Sequence, residues 1–146
     1  MDEIVVGVDG SVASDAALRF AAAEARIHGC RLVATHAWYL PVLVSSAYAV
    51  APPIDPHEVE VAAKEELTRA LDRVLGPEPG LDLQVDSEVL HGQAAEALLE
   101  RAIGARLLVV GSRGRGGFAG LLLGSVSQQC AIHAPCPVVV VPAPKA

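Results

Sequence analysis

Short apolar runs alternate with stretches of helical spacing along the whole chain, and that alternation constrains the fold more than any other feature. Ile4–Val8, Arg31–Trp38, Leu81–Leu90, Arg106–Val110 and Pro137–Val141 read as strands. Between them, Ala13–His28, His57–Leu75, Gly92–Ile103 and Ser125–His133 read as helices. Ser11 or Ser14 can cap the first helix, and Gly29 is placed to end it. The order βαβαβαβαβ implies right-handed crossovers and a mostly parallel sheet with helices on both faces. Five such strands predict an open, doubly wound α/β sheet, and a chain of 146 residues predicts one domain over 1–146. The third strand alternates Leu81, Leu83, Val85, Ser87 and Val89 (apolar, or small, against polar), which predicts one wetter face and an edge position. The stretch from Tyr39 to Pro56 holds four prolines and no steady period, and reads as a long loop.

Ligands of such sheets sit outside the carboxyl ends of the strands, where the strand order reverses. One loop in that setting stands out. Leu107 to Ser127 reads LLVVGSRGRGGFAGLLLGSVS, a strand followed by a glycine-rich loop and a helix start. Glycine lets successive N–H groups converge and lets a ligand come close, while a helix start adds unpaired N–H donors and a positive dipole end. The pattern predicts an anion site, with phosphate as the obvious anion.

Charge agrees. All 17 acidic side chains precede Arg101, whereas Arg101, Arg106, Arg113, Arg115 and Lys145 lie in an acid-free final third. A formal net charge of −6 argues against nucleic acid as a partner. The apolar runs are too short or too broken to span a membrane. The opening Met1-Asp2-Glu3 lacks the basic start of a signal peptide. Three cysteines, Cys30, Cys130 and Cys136, suit reduced thiols, so a cytoplasmic location is expected.

The commoner phosphate motifs fail. A P-loop needs a lysine after its second glycine, and the only lysines are Lys64 and Lys145. A dinucleotide fingerprint is matched literally from Gly114 to Ala119, but no acid follows for the ribose and the loop succeeds the fourth strand. What fits is Gly111-x2-Gly114-x9-Gly124-Ser125, preceded by Val109-Val110. This spacing resembles the ATP-binding class of universal stress proteins. Ile4 to Ser11 (IVVGVDGS), His36-Ala37 and the closing run Ala134 to Val141 resemble the same family, so the likeness covers nearly the whole chain.

That resemblance implies a strand order of 3-2-1-4-5, a Rossmann-like sheet, ATP at the carboxyl ends with Mg²⁺ on its phosphates, and a homodimer. It implies that Gly7, Val8 and Asp9 border the nucleoside and that Ala37 offers backbone groups to adenine. Val110 and Gly111 would lie by the ribose. Gly114, Gly124, Ser125, Val126 and Ser127 would hold the phosphates. Asp9 can accept ribose hydroxyls or hold a water on a phosphate-bound metal, and it can equally cap the first helix. Ser125 and Ser127 can donate to phosphate or cap the fourth helix. Arg113 and Arg115 can screen the triphosphate or simply solvate a loop. The four valines Val138 to Val141 form an apolar edge strand in this order, and the expected homodimer pairs two copies along Pro137 to Val141.

Cys130-x2-His133-x2-Cys136 has a superficial zinc spacing, but Pro135 breaks the chain there and a fourth ligand is missing. Core cysteines under a helix are the better reading. No histidines are spaced as a catalytic set, and no serine sits in a nucleophile elbow. Three functions remain open: a nucleotide-dependent stress-response or regulatory module, a slow ATPase in the same crevice, and a dimeric interaction module without nucleotide. Fast turnover needs a positioned base for water, and outside Asp9 none is evident.

Overall fold

A computed structural model describes residues 2–40, 54–114 and 123–145. Arg115 and most of the long loop after Tyr39 lie outside the described residues. The elements are β1 (Glu3–Gly7), α1 (Val12–His28), β2 (Arg31–Trp38), α2 (Pro56–Leu75), β3 (Val85–His91), α3 (Ala94–Arg101), β4 (Leu107–Gly111), α4 (Ser125–His133) and β5 (Val138–Val141). All strand pairs are parallel, in the order β3-β2-β1-β4-β5.

Even and odd positions of each strand feed opposite cores. Ile4 and Val6 pack with Leu18, Ala21 and Leu67 beneath α1 and α2, whereas Val5, Val33 and Leu108 pack with Leu98 and Cys130 beneath α3 and α4. Alanines at 17, 21, 22 and 25 keep α1 tight on the sheet. Each fully buried Leu, Ile or Val contributes about 1.5–3 kcal/mol. Ser11 caps α1 by accepting from the Ser14 N–H at 3.2 Å, and Gly29 ends it in the left-handed region at φ 63°. Asp55 caps α2, with Pro56 in the first turn where its missing N–H costs nothing.

The third strand is an edge, as its alternation implies, but it starts later than the alternation does. Pairing begins at Leu32↔Val85, with the Leu32 N–H donating to the Gln84 carbonyl at 2.9 Å; β2 itself begins at Arg31, so Leu81 to Leu83 have no strand to extend along and Leu81 is fully exposed. The other edge is β5. Val139 and Val141 lean on the α1–α2 core, Val138 and Val140 on the α3–α4 core, and all four are only half-buried.

The opposite end of the sheet from the strand carboxyl ends is tied by charge. Glu3 accepts from both Arg31 and Arg101, and Arg101 also grips Glu88 through Nε at 2.6 Å and Nη2 at 3.1 Å. The hydrogen bond from Arg101, with help from Arg31 and against the effect of burial, holds the Glu3 carboxyl down to about 2. A carboxyl depressed in the folded state stabilises above its unfolded value and loses that contribution as pH falls towards its folded value. Glu3→Gln is therefore expected to cost about 2 kcal/mol at pH 7. The deficit should shrink between about pH 5 and pH 2. Urea unfolding at several pH values checks this, and a deficit unchanged at pH 2.5 refutes the assignment.

Candidate functional site

The order reverses between β1 and β4: β1 continues to β2 on one side, and β4 to β5 on the other. Above this point opens a cavity of about 370 Å³. The twelve residues singled out in the sequence all line it. Gly7, Val8 and Asp9 come from the end of β1, Ala37 from β2, and Val110, Gly111, Arg113 and Gly114 from β4 and its loop. Gly124, Ser125, Val126 and Ser127 come from the start of α4. Thr35, His36, Ala94 and Leu98 line it as well and were missed as site residues. Thr35 and His36 adjoin Ala37 in β2, which was signal enough. Ala94 and Leu98 lie one turn apart on α3 and form an apolar wall, and nothing in their local sequence distinguishes them from core residues.

The three glycines of the motif serve space rather than backbone conformation, since none of them has a positive φ. A Cβ on Gly111 would lie 2.8 Å from the Ala13 carbonyl carbon and 2.9 Å from the Ser14 nitrogen, so α1 rests directly on this glycine. A Cβ on Gly114 would lie 2.5 Å from Asp9 Oδ2, so the carboxylate reaches across the crevice to the glycine loop. A Cβ on Gly124 would meet only ordinary contacts, 3.5 Å to Arg113 Cα and 3.7 Å to the Gly114 nitrogen. With φ at −74°, neither packing nor backbone requires glycine at 124.

Asp9 divides its two oxygens. Oδ1 accepts from the Ser11 N–H at 2.9 Å and fixes the turn into α1, where Gly10 has φ 79°. Oδ2 faces Gly114. Its own N–H donates to Ser14 Oγ at 3.1 Å. Asp9 therefore fixes the turn ahead of α1, whose cap is Ser11 and not Asp9, and its side chain also lines the cavity.

At the other wall, α4 starts on Gly124 with no side-chain cap. The first N–H groups of a helix have no intrahelical partner, and they carry the positive end of the dipole. Ser125 is exposed at this start. Ser127 behaves differently from the expectation that it donates to a phosphate. It is 2 % exposed and its hydroxyl donates to the Ser112 carbonyl at 2.8 Å. The Gly124 N–H donates to the same carbonyl at 2.6 Å. Ser127 therefore fastens α4 to the loop after β4, which leaves its backbone N–H as the group facing the cavity end of the helix.

The cysteines are core residues. Burial pushes the Cys130 thiol up to about 11 and raises that of Cys136, the reverse of what a thiolate ligand or nucleophile needs. Among the described residues no group of His, Cys, Asp or Glu could hold a metal ion without help from a ligand. No described helix is long and apolar enough to cross a membrane.

Fold and cavity together define a doubly wound, Rossmann-like α/β protein with a glycine-lined pocket at the switch point. Residues 1–142 match the model of the universal stress protein family, and the chain belongs to that family. It is 45 % identical over 141 residues to a universal stress protein of Mycolicibacterium smegmatis, covering 94 % of this chain and 45 % of that one. It is 39 % identical over 140 residues to one from Thermus aquaticus, covering 94 % and 96 %. The chain thus spans about half the length of the mycobacterial relatives it matches and nearly all of the Thermus one. A universal stress protein solved in complex with cAMP superposes with a TM-score of 0.69 at 27 % identity, covering 98 % of each chain.

Proposed function

We propose that this chain binds an adenine nucleotide, ATP with Mg²⁺, in the switch-point cavity and acts as a nucleotide-dependent regulatory module. One observation carries the reading: the uncapped start of α4 opens on a cavity whose facing glycine, Gly124, is required by neither packing nor backbone. Room left open beside converging N–H donors suits a phosphate. Ala94, Leu98, Val8 and Val110 supply an apolar slot suited to a base. The cAMP complex of a relative supports a nucleotide as the ligand class. Asp9 fits a metal-bearing nucleotide, because a carboxylate and a polyphosphate in one cavity repel unless a cation lies between them. Asp9 is also the one carboxylate among the described lining residues, and its Oδ1 is committed to the turn. That arrangement suits binding and gives no positioned base for rapid hydrolysis.

ATP with Mg²⁺ at about 100 times its dissociation constant is expected to add roughly 2.7 kcal/mol to stability. That corresponds to a rise in Tm of about 5–10 °C for a chain of this size. A thermal melt on protein first freed of nucleotide tests it. A melt unmoved by millimolar ATP with magnesium refutes the reading.

The same proposal includes a homodimer along Pro137 to Val141. The Pro137 and Val141 carbonyls accept from Leu108 and Ser112, so residues of that parity face β4. The N–H and C=O groups of Val138 and Val140 then point to the open edge. Val140→Pro removes an outward donor and spares the β4–β5 ladder. It is expected to give a folded monomer where the parent sediments as a dimer. A parent of one-chain mass at micromolar concentration refutes the dimer.

A further inference from the structure

The base end of the cavity holds an imidazole whose two nitrogens both face oxygen. His36 lies on β2 with its side chain towards α2, and it is 14 % exposed. Its Nδ1 is 2.6 Å from the Val8 carbonyl, which can only accept, so Nδ1 carries a proton. Its Nε2 is 3.6 Å from Glu66 Oε2 on α2, too long for a hydrogen bond but within ion-pair range. A neutral ring would present a lone pair to that carboxylate; a protonated ring turns the same contact into an attraction.

The bond to Val8 has a consequence for Asp9. The peptide joining Val8 to Asp9 is held from both sides: its C=O by His36 and its N–H by Ser14 Oγ at 3.1 Å. The plane of this peptide sets where the Asp9 side chain leaves the chain. The β1–β2 register ends at Gly7↔Thr35, just before this peptide, so the ladder does not hold its carbonyl. His36 takes that place.

Charged groups near the ring come from several elements. From α2 it faces Glu66, and from β3 its register neighbour is the uncharged Val89. Asp9 and Arg113 line the same cavity. Asp15 of α1 is paired with Arg73 of α2 at 2.8 Å. His91 sits against Trp38 at the ends of β3 and β2, with ring centroids 4.7 Å apart.

We propose that His36 is a positioning residue that couples a proton to nucleotide binding: as an imidazolium it bridges Val8 and Glu66, fixes the Asp9 peptide and closes α2 on the base end of the cavity. Losing the proton loosens that bridge and removes a positive charge from beside an anionic ligand, so both effects weaken binding as pH rises. The inference rests on the nucleotide reading above.

The test uses cAMP, whose phosphodiester does not titrate in this range, so that pH acts on the protein alone. Calorimetry at pH 5.8 and pH 8.0 is expected to show about tenfold tighter binding at the lower pH. Near pH 7, buffers of different ionisation enthalpy should show net proton uptake on binding. His36→Asn keeps a donor for the Val8 carbonyl but cannot be charged, and Glu66→Gln keeps shape but removes the counter-charge. Each should reduce the pH effect to less than threefold, and His36→Asn should abolish the proton uptake, while His91→Gln should leave both unchanged. Equal affinity of the parent protein at the two pH values, or a full pH effect surviving in His36→Asn, overturns the coupling and leaves the nucleotide reading standing. No cAMP binding at any pH overturns the coupling as stated, and the thermal melt with ATP and magnesium then decides the nucleotide reading separately.

Discussion

Gly114→Val is expected to reduce nucleotide affinity at least a hundredfold while the domain still folds. The new Cβ would fall 2.5 Å from Asp9 Oδ2, so the carboxylate must leave. Its other oxygen is bound to the Ser11 N–H at 2.9 Å, and moving the group strains that turn. The cost to folding is about one hydrogen bond, roughly 1 kcal/mol. The cost to binding is larger for a different reason. Valine occupies the side of the crevice where the α4 start and the glycine loop converge, and it pushes a carboxylate into what remains. Asp9→Ala in the same chain removes the clash but still lacks the bond to the Ser11 N–H, so it should leave stability about where Gly114→Val put it and should not restore binding. Titration calorimetry with ATP and magnesium, paired with urea unfolding, separates these results. A folded Gly114→Val variant of unchanged affinity would show that the loop is not the phosphate site.

Much of this cavity was legible in the sequence because its parts are local. A strand, a glycine spacing and a helix start lie within Leu107 to Ser127, and their contacts with one another are fixed by chain connectivity. Asp9 was legible for the same reason, since it directly follows β1 and β1 neighbours β4. What the sequence hid is what comes from across the fold. Ala94 and Leu98 belong to α3, whose spacing shows which face is apolar but not that one end of that face borders an opening. The role of Ser127 was hidden by a competition between two acceptors, a ligand and the Ser112 carbonyl 15 positions away, that only geometry decides. The late start of β3 was hidden because alternation records which side is wet, whereas pairing depends on where the neighbouring strand begins.

The reason for the glycines was also only half legible. Spacing marks all three as one motif, and phosphate contact explains them uniformly. The structure separates them into a packing glycine, a glycine facing a carboxylate and a glycine whose Cβ would meet only ordinary contacts. These three roles predict three different outcomes of the same small substitution. Gly124→Ala should leave stability within about 0.5 kcal/mol, as surface changes without new clashes do. Its methyl would still stand 3.7 Å from the Gly114 nitrogen and so reduce nucleotide affinity.

Gly111→Ala should be the costly one for folding. Its methyl would meet backbone on α1, 2.8 Å from the Ala13 carbonyl carbon and 2.9 Å from the Ser14 nitrogen, and backbone cannot swing aside as a side chain can. Either β4 or the first turn of α1 must shift by several tenths of an ångström. β4 is held between β1 and β5, so the strain falls on α1. That turn is anchored by Ser14, whose N–H is capped by Ser11 and whose hydroxyl accepts from Asp9. Overpacking of this kind costs about 1–3 kcal/mol. Loss of the cap adds about 1 kcal/mol. The sum approaches the upper part of what a single change does, and should lower Tm by about 10 °C. Nucleotide affinity should fall as well, because the displaced turn carries Asp9 with it. A Gly111→Ala protein that melts within 2 °C of the parent would show that α1 does not rest on this glycine, and would return Gly111 to the role of a ligand contact alone.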